Sequence, residues 1–240
     1  NGGGNNTINY AIDGENITTL TAGKSTTFNV TYSAPSESDI WLTLYHVTGD
    51  NWDLIAEKKK VNSVAAGENK TTTITLDIPS SVEGRNDYTL FFDIRPVGTD
   101  WQQRKANEQI NNVTVKSIPK GVSGKSGKYK IKRTDCDQYW DMNGNGTANG
   151  TALCQYNDEG TELYQQFHLE EVSANSGIYR IYANDTGKLI DINAASQDNG
   201  AKVQIWENTN CECQQFILVD AGNGAYNFIA LHSLKAIEVP

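Results

Sequence analysis

The sequence contains no apolar run approaching the ~18–20 residues that a membrane-crossing helix needs, so no membrane partner is expected. It has one Met and three His, and no HExxH, GxSxG or phosphate-binding Gly-rich loop. These gaps remove the usual signatures of zinc hydrolases, serine hydrolases and nucleotide-dependent enzymes. Cysteine is scarce as well: four, at Cys136, Cys154, Cys211 and Cys213. The Cys-x-Cys at 211–213 is shorter than a paired CxxC zinc pattern, so neither a metal site nor any other cofactor is expected. Helical periodicity is nearly absent. Basic residues are outnumbered, 20 against 29, for a net charge of −9. From Gly127 onward eight basic residues face fifteen acidic ones, which leaves only −2 for the first half. An acidic surface repels phosphate backbones, so no nucleic acid partner is expected. The same charge argues more weakly against a highly sulfated or uronate polymer, because local basic patches override net charge.

What the sequence does contain is an internal repeat over 127–240. Gly127-Lys-Tyr129-Lys-Ile131 recurs as Gly177-Ile-Tyr179-Arg-Ile181 and as Gly224-Ala-Tyr226-Asn-Phe228. Trp140-Asp141-Met142-Asn143 recurs as Ile190-Asp191-Ile192-Asn193, Asn149-Gly150 as Asn199-Gly200, and Gln165-Gln166-Phe167 as Gln214-Gln215-Phe216. The first and second copies are offset by 50 residues in the first three pairings and by 49 in the last. A fixed period of this size means one supersecondary unit copied, each copy needing its neighbours to bury a shared core. The copies span 127–172, 176–222 and a partial 224–240. Each full copy reads as four short strands, in the second Tyr179–Tyr182, Leu189–Ile192, Val203–Trp206 and Gln215–Leu218, which points to a threefold β structure whose last repeat is incomplete. Phe167 and Phe216 are expected in the core, with Tyr129, Tyr179 and Tyr226.

The first half is β-rich in another way. Short alternating or β-branched runs at 26–32, 40–46, 54–58, 71–77, 87–95 and 110–115 are separated by Gly, Pro, Asn and Ser turn signals. Six or seven strands in such a length suit an immunoglobulin-like or jelly-roll β-sandwich over residues 1–116. The Pro-, Gly- and Ser-containing stretch 117–126 reads as a domain linker. Asn1-Gly-Gly-Gly-Asn-Asn-Thr7 reads as a flexible or trimmed end, and the expectation is an excised piece of a longer protein. Trp41 is expected in the sandwich core. Trp52 and Trp101 fall in expected loops, where they form a second glycan surface, cover the sandwich ends or contact the second half.

Composition rich in Gly, Asn and Thr suggests a secreted, extracellular chain, where disulfides persist. A Cys136–Cys154 bond is expected, because the repeat brings both near the strand that carries Trp140-Asp141. The state of the Cys211–Cys213 pair is open. Eight Asn-x-Ser/Thr sequons occur, at Asn5, Asn16, Asn29, Asn69, Asn112, Asn145, Asn149 and Asn184, and are read as accidental matches in a Thr/Asn-rich β protein. Asp141-Met-Asn143-Gly-Asn145-Gly146 opens like a calcium loop, but Ala152 stands where the closing Glu belongs and no helices flank it, so it reads as a polar turn.

The second copy, Lys188-Leu-Ile-Asp191-Ile-Asn193, then Asn199-Gly-Ala-Lys-Val-Gln204-Ile-Trp206, then Gln214-Gln215-Phe216, resembles the ricin B-type lectin repeat. The resemblance is specific over 176–218, looser over 127–169 and only begun over 224–240. It implies a β-trefoil of the kind found in family 13 carbohydrate-binding modules. Two departures stand out: Phe167 and Phe216 replace the usual closing Trp, and Cys154-Gln155-Tyr156 replaces Gln-x-Trp in the first copy.

A sugar offers paired hydroxyls and an apolar C–H face, so its site needs a carboxylate or amide beside an aromatic ring. By the resemblance, Asp191 would accept hydroxyls and Trp206 would form the platform, with Gln204, Asn208 and Gln214 as amide partners. Asp141, Tyr156 and Gln165 take the matching places in the first copy, whereas the third offers only Glu238. His46, His168 and His232 lie in separate strand-like contexts and no carboxylate pair is marked for glycosidic chemistry, so the chain is not expected to be an enzyme. The expected function is non-catalytic polysaccharide binding, as a targeting module covalently linked to a catalytic domain of a secreted polysaccharide-degrading enzyme. The alternative is a structural, adhesion or spacer module that contacts protein partners.

Overall fold

The computed structural model describes residues 8–183 and 186–238; the glycine-rich start and the Asn5 and Asn184 sequons lie outside them. The chain is all-β and divides into two compact units, 1–118 and 119–240. Among the described residues helical structure is confined to single 3-10 turns.

The first unit is a sandwich. Strands β1 (Ala11–Gly14), β3 (Ser25–Ala34) and β6 (Gly67–Asp77) form one sheet in the order β1-β3-β6. Strands β2 (Thr19–Thr21), β4 (Ser38–Thr48), β5 (Asn51–Lys59), β7 (Arg85–Pro96) and β8 (Ala106–Lys116) form the other, in the order β2-β8-β7-β4-β5. β2 runs parallel to β8, so the chain changes sheets between β1 and β2. This order is the immunoglobulin arrangement rather than the jelly roll. Tyr88, near the start of β7, donates its hydroxyl to the Glu83 carbonyl at 3.0 Å, the corner bond typical of that fold.

Period-2 alternation explains the sandwich core. Ile40, Leu42 and Leu44 on β4 and Leu90, Phe92 and Ile94 on β7 point inward and are fully buried, meeting Phe28, Val30 and Leu76 from the other sheet. The sandwich holds no cysteine, and Phe28 and Phe92 meet edge to face at 5.6 Å across its core. Gly14 makes the close approach possible, since a Cβ there would sit 2.4 Å from the Phe92 ring. Trp41 departs from the expected core position: it is half-buried on the outer face, opposite in parity to Ile40 and Leu42. Trp52 belongs to β5 rather than a loop, because the Gly49-Asp50 turn is tight and the hairpin pairs out to Thr48 and Asn51.

The second unit is the trefoil. Strands β9 (Gly127–Tyr129), β13 (Ile178–Ala183) and β17 (Ala225–Ala230) begin the three copies. β12 (Phe167–Glu171) pairs with β9 of its own copy and β13 of the next; β16 (Phe216–Gly222) pairs with β13 and β17 in the same way. Each full copy carries a hairpin between these strands: β10 (Gln138–Met142) with β11 (Leu153–Asn157), and β14 (Leu189–Ile192) with β15 (Val203–Trp206). The third copy has β17 and a bridge between Ile229 and Ala236, and no such hairpin among the described residues.

Phe167 and Phe216 are fully buried, in a core shared with Trp140, Ile181, Ile190 and Ile205. Tyr179 is buried at 1% exposure, but the equivalent Tyr129 is 40% exposed and corrects the expectation of a core residue. The cause is pairing: β13 lies between β12 and β16, whereas β9 has only β12 beside it. Part of the segment read as a linker packs on the trefoil. Val122 N–H donates to the Leu218 carbonyl at 2.7 Å, and the Tyr179 hydroxyl donates to the Val122 carbonyl at 2.9 Å. Gly121 and Gly177 touch backbone to backbone, so that a Cβ on Gly177 would stand 2.3 Å from the Gly121 carbonyl carbon.

The expected Cys136–Cys154 bond is not formed: both thiols are free, and the bond present is Cys211–Cys213, with Cα atoms 5.1 Å apart. Register explains it. Cys154 sits opposite Asp141, five residues from Cys136, which lies in the bend before the β10 ladder begins. At ~3.3 Å rise per residue along extended chain, the two are well beyond the ~7 Å Cα limit for a bridge.

Candidate functional site

The two trefoil hairpins place their polar residues by the same rule. In β14–β15, Asp191 pairs with Gln204 and Leu189 with Trp206, so Asp191, Gln204 and Trp206 share one face while Ile190, Ile192 and Ile205 face the core. In β10–β11, Asp141 pairs with Cys154 and Tyr139 with Tyr156, again on one face.

Behind each aspartate lies a fully buried glutamine. Gln214 Nε2 donates to Asp191 Oδ2 at 3.1 Å and to the Glu207 carbonyl at 2.8 Å, and its Oε1 accepts from Thr209 N–H at 3.0 Å. Gln165 repeats the set: Asp141 Oδ2 at 2.9 Å, the Asn157 carbonyl at 2.7 Å, and Glu159 N–H at 3.0 Å. Both amide hydrogens and the amide oxygen of each glutamine are therefore used, and the pair orients the carboxylate while tying down the following loop. Gln165 and Gln214 stand behind the site, not at its surface.

The copies differ at the other carboxylate oxygen. Gln204 Nε2 donates to Asp191 Oδ1 at 3.1 Å and to Asn193 Oδ1 at 3.2 Å. In the first copy Cys154 takes that place and offers only its thiol, 3.8 Å from Asp141 Oδ1. Asp141 is thus held firmly at one oxygen and weakly at the other. Burial raises its carboxyl above the ordinary range, helped by Glu159 and opposed by the Gln165 hydrogen bond. Burial and the neighbouring Asp141 charge together push the Cys154 thiol up to about 11.

The aromatic partners differ in access. Tyr156 is 52% exposed and faces the half-buried Tyr139, whose ring has the Lys130 ammonium 4.7 Å from its centroid. Trp206 is half-buried beside the Asn149-Gly150 turn of the first copy: a Cβ on Gly150 would stand 3.8 Å from Trp206 Cζ3. Lys202 Nζ to the Gly150 carbonyl at 2.6 Å and Glu207 N–H to Asn149 Oδ1 at 3.2 Å fix that turn in place. Asn208 is exposed, and its Oδ1 accepts from Asn210 N–H at 2.9 Å, shaping the loop. Glu238 is exposed and belongs to no such hairpin, but lines a cavity with Leu153, Ile192 and Val203 of the two hairpins.

The structure therefore brings Asp191, Gln204, Gln214 and Trp206 together, and Asp141 with Gln165, with Tyr156 on the same hairpin face. Asn193 and Tyr139 join these groups without having been singled out in the sequence; Asn193 was legible as the repeat of Asn143. The calcium-like segment is a single 3-10 turn at Asn143–Asn145, and the same turn forms at Asn193–Ala195 from Asn-Ala-Ala, so its shape does not depend on the extra polar residues. Among the described residues no cluster of three His, Cys, Asp or Glu could hold a metal.

Residues 109–206 and 163–240 match the family described as ricin-type beta-trefoil lectin domain-like, and residues 12–107 match the porphyranase-associated domain. No curated protein matches the chain. Among solved structures, the designed threefold-symmetric protein ThreeFoil is 32% identical over 45% of this chain and 76% of its own, with a TM-score of 0.43. A lectin from Polyporus squamosus is 14% identical over 48% of this chain and 40% of its own, TM-score 0.42. An exo-beta-1,3-galactanase from Clostridium thermocellum is 13% identical over 87% of this chain and 48% of its own, TM-score 0.43. The chain thus spans less than half the length of the last two. With its second half matched from 109 to 240, more than half of all residues, the chain belongs to the ricin-type beta-trefoil lectin domain-like family.

Proposed function

We propose that the trefoil binds carbohydrate at its two hairpin faces, without catalysis. The observation that carries this reading is the repeated glutamine-clamped aspartate with an aromatic ring on the same face: Asp191 with Trp206, and Asp141 with Tyr156. A carboxylate fixed in advance loses little freedom on accepting a sugar hydroxyl, and the ring covers the sugar's apolar face. Asp141 Oδ1, faced only by a thiol, is the oxygen with most capacity left to accept. Each site alone is weak, and two on one polymer gain from effective concentration, which favours a polysaccharide over a free sugar. On this reading the chain is a secreted targeting piece linked to a polysaccharide-degrading catalytic domain. The porphyranase-associated family matched by residues 12–107 makes porphyran the first polymer to try.

A second reading has its own support. Asp141 and Asp191 are only 4% and 6% exposed, as expected of carboxylates that hold loops rather than ligands. On that reading the module spaces or adheres through protein contacts. Affinity electrophoresis against a panel of porphyran, other galactans, glucans, xylan and mannan separates the two. Retardation by at least one polymer that Trp206→Ala together with Tyr156→Ala reduces supports trefoil binding, and migration unchanged in all of them, or indifferent to loss of both rings, supports the spacer.

A further inference from the structure

The outer face of the five-stranded sheet carries a surface the trefoil reading does not use. Strand parity turns Trp41, Thr43 and Tyr45 of β4 and Phe91, Asp93 and Arg95 of β7 away from the sandwich core. Such a face of an antiparallel sheet normally carries small solvated polar groups. Here Tyr45, Trp52 and Phe91 pack as a three-ring cluster, with centroids 5.2 Å apart for Tyr45–Trp52 and 6.1 Å for Trp52–Phe91. Beyond Phe91 the Arg104 guanidinium carbon lies 5.6 Å from its ring and 5.5 Å from the ring of Trp101. Trp52 and Trp101 remain 42% and 59% exposed. The result is a contiguous track, Trp52 to Phe91 to Arg104 to Trp101, in steps comparable to one sugar ring.

The track rests on a rigid base. Arg95 binds Asp93 through two bonds, Nε–Oδ1 at 2.5 Å and Nη2–Oδ2 at 2.7 Å, both residues are buried, and the guanidinium lies 4.6 Å from the centre of Trp41. Asp39 is neutralised by Lys59 at 2.7 Å. Trp41 Nε1 is buried without a partner among the described residues. Along β8 the exposed amides Asn107, Gln109 and Asn111 run beside the aromatic cluster, with Gln109 Nε2 donating to Asn111 Oδ1 at 2.7 Å. Arg104, by contrast, makes no ion pair among the described residues. A guanidinium held between two rings presents its charge where a stacked sugar would place a substituent.

We propose that this face is a second glycan site, one that takes an internal stretch of an anionic polysaccharide, with Trp52 and Trp101 as stacking platforms, the β8 amides as hydroxyl partners and Arg104 as the counter-charge to a sulfate ester or uronate. The two tryptophan rings stand exposed at the surface, so no chain end is required. All the residues of this face belong to the sandwich, and none is shared with the trefoil sites.

The test is affinity electrophoresis of the full chain carrying Tyr156→Ala and Trp206→Ala, which removes the trefoil platforms. The gels contain a sulfated galactan or its desulfated form. The expected result is retardation by the sulfated polymer, weakened about tenfold or more by adding Trp52→Ala with Trp101→Ala. Arg104→Gln should reduce it and flatten its salt dependence, with little retardation left in the desulfated gel. Both tryptophans are exposed, and thermal melting checks that the variants remain folded. No retardation in this background, equal retardation by both polymers, or retardation unchanged by the tryptophan and arginine variants overturns the proposal. So does sedimentation showing a dimer that Trp52→Ala dissociates, which would assign the face to a second copy of this chain.

Discussion

Gln214 donates to Asp191 at 3.1 Å from a position with no solvent exposure, and Gln165 does the same to Asp141 at 2.9 Å. The pair links sequence repeat to site geometry: the glutamine begins the closing Gln-Gln-Phe of each full copy, and the phenylalanine two residues on is core. Gln214→Ala leaves the Asp191 carboxylate, the Glu207 carbonyl and Thr209 N–H short of partners. Of these Asp191 is buried while Glu207 and Thr209 are exposed to water; one buried group left short of a partner costs on the order of 1–3 kcal/mol, and the variant should lose about that much. Urea unfolding checks this as a lowered midpoint at unchanged slope.

Asp141 gives a pH signature. Its folded-state carboxyl sits above the ordinary range, so the folded state binds the proton more tightly than the unfolded state. The contribution to stability is fully present below the ordinary carboxylate pKa and is lost as pH rises through the raised folded value. Asp141→Asn cannot titrate, and its amide oxygen still accepts from Gln165. Stability of the native chain minus that of Asp141→Asn should therefore fall as pH rises from acid toward neutral, in denaturant titrations at each pH.

Thiol chemistry should separate the four cysteines. A peptide map without reductant is expected to show Cys211 joined to Cys213, with Cys136 and Cys154 free. Exposed Cys136 should be alkylated first; Cys154, with its thiol pushed up to about 11, should react far more slowly at neutral pH.

Gly177 adopts φ of +65° against the backbone of Gly121. Gly177→Ala meets both strain and a clash, and should destabilise the trefoil by more than ~1 kcal/mol in thermal or urea unfolding. Gly187→Ala, with an equal φ and open space around it, should cost less.

Much of the trefoil was legible because a repeat reports three-dimensional equivalence directly. Leu189–Ile192 and Val203–Trp206 form as strands over the expected residues, and Phe167 and Phe216 are buried. What a repeat does not report is how many neighbours each copy has, so Tyr129 and Tyr179 read alike and differ in burial. In the sandwich, β1 and β2 escaped notice because four- and three-residue strands carry too few alternations to register. Trp41 looked like core because a β-branched and aromatic run hides which parity faces inward; only the partner strands decide it. The disulfide was misassigned because residues near one strand in sequence can still be several rises apart along it. At the candidate site, residue types pointed to Asp191, Gln204 and Trp206, but nothing in the sequence distinguishes an amide that meets ligand from one buried behind a carboxylate, as Gln165 and Gln214 are.

If the trefoil hairpins hold glycan through their aromatic faces, they should do so without help from the sandwich. The most direct test uses the full chain with Trp52→Ala and Trp101→Ala, so that only the trefoil platforms remain, in affinity electrophoresis against the polysaccharide panel. Retardation by at least one polymer is expected, reduced about tenfold or more by Trp206→Ala together with Tyr156→Ala, with folding retained. Migration unaffected by every polymer, or retardation indifferent to loss of both rings, would contradict trefoil binding.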